Sequence, residues 1–121
     1  MALSNSQVVD VLRAAGEPTR LRILALLAHE ELAVLEICRV LDQSQPRVSR
    51  HLKLLAEARL VERFPDGAWV FYRLVTSGEA RRLVDEVLDI IEPADPTLAR
   101  DSERLRTVQA ERETEAGAYF A

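Results

Sequence analysis

Residues 44–55, Ser44-Gln45-Pro46-Arg47-Val48-Ser49-Arg50-His51-Leu52-Lys53-Leu54-Leu55, read as one amphipathic helix. Ser44 stands where an N-cap hydroxyl accepts from the backbone N–H of Arg47, and Pro46, which has no donor to lose, fits the first turn. Val48, Leu52 and Leu55 follow at the spacing of a single buried face. The opposite face displays Gln45, Arg47, Ser49, Arg50 and Lys53, and His51 lies within the same helix. Gln suits the edge of adenine, Arg the edge of guanine, and hydroxyls and cations suit phosphate. Taken alone, such a face also reads as an ordinary solvated helix surface.

The neighbouring segments weigh between these readings. Upstream, Val34, Ile37/Cys38 and Leu41 make a short helix that Asp42-Gln43 breaks just before Ser44. Two further helices precede it. One carries Val8, Val11/Leu12 and Ala15 and ends at Gly16; the other opens at Glu17-Pro18-Thr19 and carries Leu21, Leu24 and Leu27/Ala28. Downstream the period changes to two. Leu60–Phe64 and Trp69–Leu74 are strand-like runs around Pro65-Asp66-Gly67-Ala68, which predicts one two-stranded hairpin with Asp66-Gly67 supplying positive φ. Thr76-Ser77-Gly78-Glu79 reads as a capping box opening a helix with Leu83, Val87 and Ile90/Ile91, ended by Pro93 and Pro96. This order predicts a mostly α fold, a winged helix-turn-helix over residues 1–92, in which residues 44–55 enter the major groove and the hairpin flanks them. Residues 93–121 are expected to form a polar C-terminal extension, a marginal helix needing a partner or partly disordered. Only Leu98, Leu105 and Val108, then Ala116, Tyr119 and Phe120, are apolar at helical spacing there.

Charge supports the DNA reading locally. The 121 residues carry a formal net charge of −4, yet positions 43–73 hold Arg47, Arg50, Lys53, Arg59, Arg63 and Arg73 against Glu57, Glu62 and Asp66. Arg63 and Arg73, at the base of the hairpin, are further candidate phosphate contacts. Asp66 at the tip has the wrong sign for one, and Trp69, Val70, Phe71 and Tyr72 read mainly as packing. The length suits one core and no second catalytic domain. The single cysteine, Cys38, excludes an intramolecular disulfide framework, and no run of 18 apolar residues suggests a membrane span. A cytoplasmic address is the expectation. No glycine-rich phosphate loop and no Ser/His/Asp or Cys/His arrangement suggests an enzyme, and no cofactor is expected. A winged helix used only for docking other proteins remains the alternative function.

The runs Glu17-Pro18-Thr19-Arg20-Leu21-Arg22-Ile23-Leu24, Ser44–Leu55 and Gly67-Ala68-Trp69-Val70-Phe71-Tyr72-Arg73-Leu74 resemble the ArsR/SmtB family of winged-helix repressors over roughly residues 5–92. The resemblance implies a homodimer that occupies a double-stranded operator with inverted half-sites and leaves it when an effector binds. Its dimer surface would be the first and fifth helices, here Val8, Val11 and Leu12 with Leu83, Val87 and Ile91. These stripes also read as intramolecular core. Segments 94–101 and 115–121 resemble the connector of longer members that carry a methyltransferase-like domain.

Metal sensing departs from the family pattern. Arsenic-sensing members carry Cys-x-Cys in a run that aligns with Glu31-Leu32-Ala33-Val34-Leu35-Glu36-Ile37-Cys38, so Ala33 and Leu35 replace both thiolates of the pair. Zinc-sensing members use Asp and His on the fifth helix, but residues 76–92 contain no His. A soft or borderline metal needs several thiolate or imidazole donors, and only Cys38, His29 and His51 exist. No metal site is predicted. Cys38 reads as a structural thiol, His51 as a phosphate or helix–helix hydrogen-bonding group, and His29 as a surface residue near a helix end.

Overall fold

The computed structural model describes the backbone of residues 2–120 and side chains as far as Thr114. Helix α1 (Asn5–Ala15) opens with a reciprocal cap: Ser4 Oγ accepts from Gln7 N at 3.1 Å and Gln7 Oε1 accepts from Ser4 N at 2.8 Å. Helix α2 (Pro18–Leu27) follows Gly16, with Glu17 accepting from Arg20 N at the cap. It is the central helix, burying Thr19, Ile23, Leu24, Leu26 and Leu27.

Strand β1 (Leu32–Ala33) then leads into α3 (Val34–Leu41). Helix α4 (Gln45–Glu57), hairpin strands β2 (Val61–Asp66) and β3 (Trp69–Leu74), α5 (Glu79–Asp89) and α6 (Pro96–Phe120) complete the order. The sheet has three antiparallel strands in the order β1-β3-β2, with Leu32 opposite Tyr72 and Ala33 opposite Phe71. The expected two-stranded hairpin therefore gains an edge strand. Two residues carry no readable alternation, and their strand exists because β3 offers an unpaired edge. Pro65, which cannot donate to a ladder, sits in β2 at the other edge. Gly67 supplies the turn's positive φ (64°) while Asp66 stays in the strand, paired with Trp69.

Two caps differ from the sequence expectation. Ser44 occupies the N-cap of α4 with extended backbone, but its hydroxyl makes no capping bond; Pro46 has already removed one donor from the first turn, and the exposed end is open to water. Helix α5 is capped not by Thr76 but by Gly78 at φ 101°, two residues later. That conformation suits glycine alone.

Helix α6 packs on α2 and α3. Its inward stripe is Asp101, Leu105, Val108 and Arg112, the spacing of one helix face. Leu105 and Val108 join the common core. Asp101, only 2% exposed, receives a forked pair of bonds from Arg22 of α2, Nε to Oδ2 at 2.8 Å and Nη2 to Oδ1 at 2.9 Å. Asp95 caps α6 by accepting from Leu98 N at 3.0 Å. The apolar positions Ala116, Tyr119 and Phe120 lie outside the described side chains.

The Arg22–Asp101 pair yields a stability test. Arg22→Met leaves a buried carboxylate without its cation and should cost about 3–5 kcal/mol in denaturant melts, whereas adding Asp101→Leu should restore most of the loss.

Candidate nucleic-acid interface

Helix α4 is held by its apolar face. Val48, Leu52 and Leu55 are fully buried, while Ser44, Gln45, Arg47, Arg50 and Lys53 are exposed and Ser49 is half-exposed. Within the ion-pair distance of 4.0 Å, Arg47, Arg50 and Lys53 pair with no carboxylate among the described residues. Arg59 and Arg63 are likewise uncommitted, so of the six cations between residues 43 and 73 only Arg73 is neutralised.

Strand parity explains Arg73. Glu62 faces Arg73 across the ladder, one residue out of step with the Arg63–Tyr72 pair, so the two arginines point to opposite faces of the wing. Arg63 shares the face of buried Val61 and Leu74. Arg73 shares the other face, where its Nε donates to Glu62 Oε2 at 3.1 Å, Nη1 lies 3.9 Å from Glu31, and its guanidinium sits 4.6 Å from the Phe64 ring centre. The expected grouping of Arg73 with Arg63 as phosphate contacts does not fit this placement. Trp69, Phe71 and Phe64 form a stacked row on the Arg73 face, and Trp69 remains 51% exposed.

His51 is turned towards α2 rather than outward. Its Nδ1 lies 3.3 Å from Arg20 Nη1 and 3.8 Å from Glu17 Oε2. A guanidinium only donates, so Nδ1 accepts and the ring proton resides on Nε2. Arg20 is fixed in turn by donating from Nε to the Ala14 carbonyl at 2.6 Å. Burial lowers the His51 pKa; the Glu17 carboxylate opposes this, and Arg20, Arg47 and Arg50 reinforce it. Burial pushes Glu17 up, but backbone N–H groups of Arg20 and Thr19 and the charges of His51 and Arg20 hold it below the usual carboxylate range.

The expected dimer stripes are partly rearranged. Val11 faces inward at 3% exposure and belongs to the core. The outward apolar surface of α1 is instead Leu12, 51% exposed, with Val9, while Val8 is half-buried. Leu83 and Val87 of α5 line an apolar cleft against Leu12, Ala15 and Leu21. Ile91 lies beyond the end of α5 at Asp89, and Ile90, at the helix C-cap, is 83% exposed.

Cys38 is half-buried, and burial raises its thiol pKa, the opposite of what a thiolate ligand needs. Among the described residues no three His, Cys, Asp or Glu side chains converge to hold a metal ion.

The His51 contact predicts a pH dependence. The folded chain resists protonating the imidazole, so acidification through the ordinary histidine range, about 6.5 and below, adds protons preferentially to the unfolded chain and lowers stability. The contribution is intact above that range. His51→Gln should flatten the stability profile there; an unchanged profile in thermal melts would assign the slope to other groups.

Helix α4 and its supporting core recur in other proteins. Residues 17–63, from the cap of α2 into β2, match the model of the arsR family of bacterial regulatory proteins. The arsenical resistance operon repressor of Escherichia coli is 41% identical over 81 residues, spanning 64% of this chain and 69% of that protein. HlyU of Vibrio cholerae superposes with a TM-score of 0.65 at 31% identity, covering 74% of this chain and 97% of that one. The homodimeric winged helix-turn-helix DNA-binding domain Mb0332 of Mycobacterium bovis gives a TM-score of 0.64 at 29% identity, over 74% and 88% of the two chains. With the sequence likeness extending across α2, α3 and α4 and the same winged fold around them, the chain belongs to the arsR family of bacterial regulatory proteins and is a DNA-binding transcriptional regulator.

Proposed function

We propose that the chain is a cytoplasmic homodimeric repressor that reads an operator of two inverted half-sites and is released by a signal other than a transition metal. The observation that carries the DNA interface is the gathering of uncommitted cations on α4 and the segment that follows it. Arg47, Arg50, Lys53, Arg59 and Arg63 are exposed and unpaired among the described residues. The other cations without an ion pair, Arg13, Arg20, Arg100, Arg104 and Arg106, stand apart from them on α1, α2 and α6. Gln45 and Arg47, in the first turns of α4, take the base-reading role. Arg50, Lys53 and Arg63 take phosphates, with Ser44 and Ser49 as hydroxyl partners at the same surface. His51 serves this surface indirectly, by holding α4 against α2.

Dimerisation joins the α1 and α5 surfaces, with Leu12 and Val9 from one helix and the Leu83/Val87 cleft and Ile90 from the other. It places two recognition helices about 34–36 Å apart, one turn of duplex. The non-metal signal is supported by Ala33 and Leu35 at the family's thiolate positions and by the raised pKa of Cys38. The dimer seam and residues 97–121 are the places where an effector would couple to DNA. No catalytic role is assigned.

Selecting duplexes from a random pool tests the reading. Arg47→Ala should lose about 1–3 kcal/mol and relax preference at one position of each half-site, while Lys53→Ala should weaken all sequences alike and flatten the salt slope. Equal, sequence-blind losses for the two variants would remove the base-reading assignment. Val87→Glu should sediment as a monomer that no longer holds the selected duplex, and neither zinc nor arsenite should release the wild-type complex. A stable wild-type monomer, or stoichiometric release abolished by Cys38→Ser, contradicts the respective half of the reading.

A further inference from the structure

We propose that Arg112 is a positioning residue for DNA recognition, the point at which α6 fixes the wing relative to the helix-turn-helix. The inference rests on the DNA-binding reading and adds to it a role for the C-terminal helix.

Glu36 is the starting point. It sits in the first turn of α3 and is only 6% exposed, a costly place for a carboxylate unless its oxygens are satisfied. Three donors reach them. Ala33 N, at the end of β1, donates to Oε1 at 2.9 Å. Arg112 Nε donates to Oε2 at 2.7 Å, and Arg112 Nη2 donates to Oε1, completing a fork. The fork raises the Arg112 pKa, chiefly through the Glu36 hydrogen bonds and against burial, so the cation is held. The same guanidinium donates to the Glu31 carbonyl at 3.4 Å and lies 5.5 Å from the centre of the Phe71 ring.

Four elements therefore meet at one side chain. Arg112 belongs to α6, Glu36 to α3, Glu31 leads into β1, and Phe71 lies in β3 opposite Ala33. Phe71 in turn stacks with Phe64 at 5.8 Å and with Trp69 at 6.2 Å, so the contact continues to the distal end of the wing. Glu111, the preceding residue, pairs with Arg39 on α3, and Gln109 donates to Glu30 at 2.6 Å, so this part of α6 bears on α3 and its approach. Helix α3 reaches α4 through a single turn at Asp42. Wing and recognition helix are thus referred to a common support that Arg112 closes. None of these side chains is on the proposed DNA surface; the effect on binding is through placement.

The chain's single tryptophan, Trp69, reports on this joint. The measurement uses the full chain and a duplex that the wild-type protein selects from a random pool, titrated at several salt concentrations below each variant's melting temperature. Arg112→Met should bind that duplex about tenfold more weakly, with a shallower salt slope as wing contacts are lost, and with Trp69 more readily quenched by acrylamide. Arg112→Lys replaces the charge but not the planar fork, so it should recover melting temperature more fully than affinity or Trp69 protection. Arg106→Met, at an exposed position of the same helix, should behave as wild type. If Arg112→Met does not fold, Glu36→Gln/Arg112→Met, which leaves no buried charge, carries the same comparison.

Wild-type affinity, salt slope and Trp69 quenching in a folded Arg112 variant would overturn the proposal. So would a lysine variant in which affinity simply follows stability, since that marks a structural role alone. If wild type and Arg106→Met themselves fail to prefer the selected duplex over bulk DNA, the DNA-binding reading falls, and this inference falls with it.

Discussion

The recognition helix is set by two left-handed backbone turns, one at each end. Asp42 has φ 55° and Arg59 has φ 63°, the two non-glycine residues with positive φ among those described. Each conformation costs about 1–2 kcal/mol for a residue with a Cβ, so it must be held by what it joins. At the first turn Gln43 N donates back to the Cys38 carbonyl at 3.2 Å. At the second, Leu60 N donates to the Leu55 carbonyl at 3.0 Å and Arg59 N to the Ala56 carbonyl at 3.0 Å, the paired bonds of a Schellman motif. Leu55 and Leu60, the residues that motif brings together, are both buried. Burying them offsets the strain at Arg59. Because both ends are tied down, the outward direction of Gln45, Arg47, Arg50 and Lys53 is a property of the core and not of a flexible loop.

Charge is sorted by the same geometry. A chain with net charge −4 approaches DNA only if its cations are not cancelled where they are needed. Asp101 and Glu111 of α6 take up Arg22 and Arg39, Glu36 of α3 takes up Arg112, and Glu62 of the wing takes up Arg73. Helix α4 and the inner wing keep theirs uncommitted. The difference between Arg63 and Arg73 is a single step of strand register, which decides whether an arginine shares the face of Val61 or that of Glu62 and Phe64.

Much of this was legible in the sequence because it is local. The buried stripe Val48/Leu52/Leu55, the Glu17-Pro18 helix start and the Gly67 turn follow from spacing and residue type within a dozen residues. What was not legible depends on distant partners. Strand β1 is two residues long and is defined by Tyr72 and Phe71, about forty positions away. The inward face of α6 looked marginal because only its middle, Leu105 and Val108, is apolar; its ends are Asp101 and Arg112, and no periodicity reveals that Arg22 and Glu36 await them. The apparent capping box at Thr76 lost to Gly78 because the chain leaving β3 needs a left-handed residue, which only glycine supplies there cheaply.

Helix α2 links the surfaces that matter for regulation. Arg20 and Arg22 are two residues apart, about 200° around a helix, and so point to opposite sides. Arg20 bonds with His51 of the recognition helix, whereas Arg22 holds Asp101 of α6. The same helix packs against α1, whose outer face with α5 is the proposed dimer seam. A ligand shifts DNA affinity only if it binds two arrangements of the protein differently. In this fold an arrangement that moves α6 or the seam must displace α2, or else break the buried Arg22–Asp101 pair or uncover the α1–α2 core. The rigid course is for α2 to carry its Arg20 end with it, and with that end the His51 side of the recognition helix.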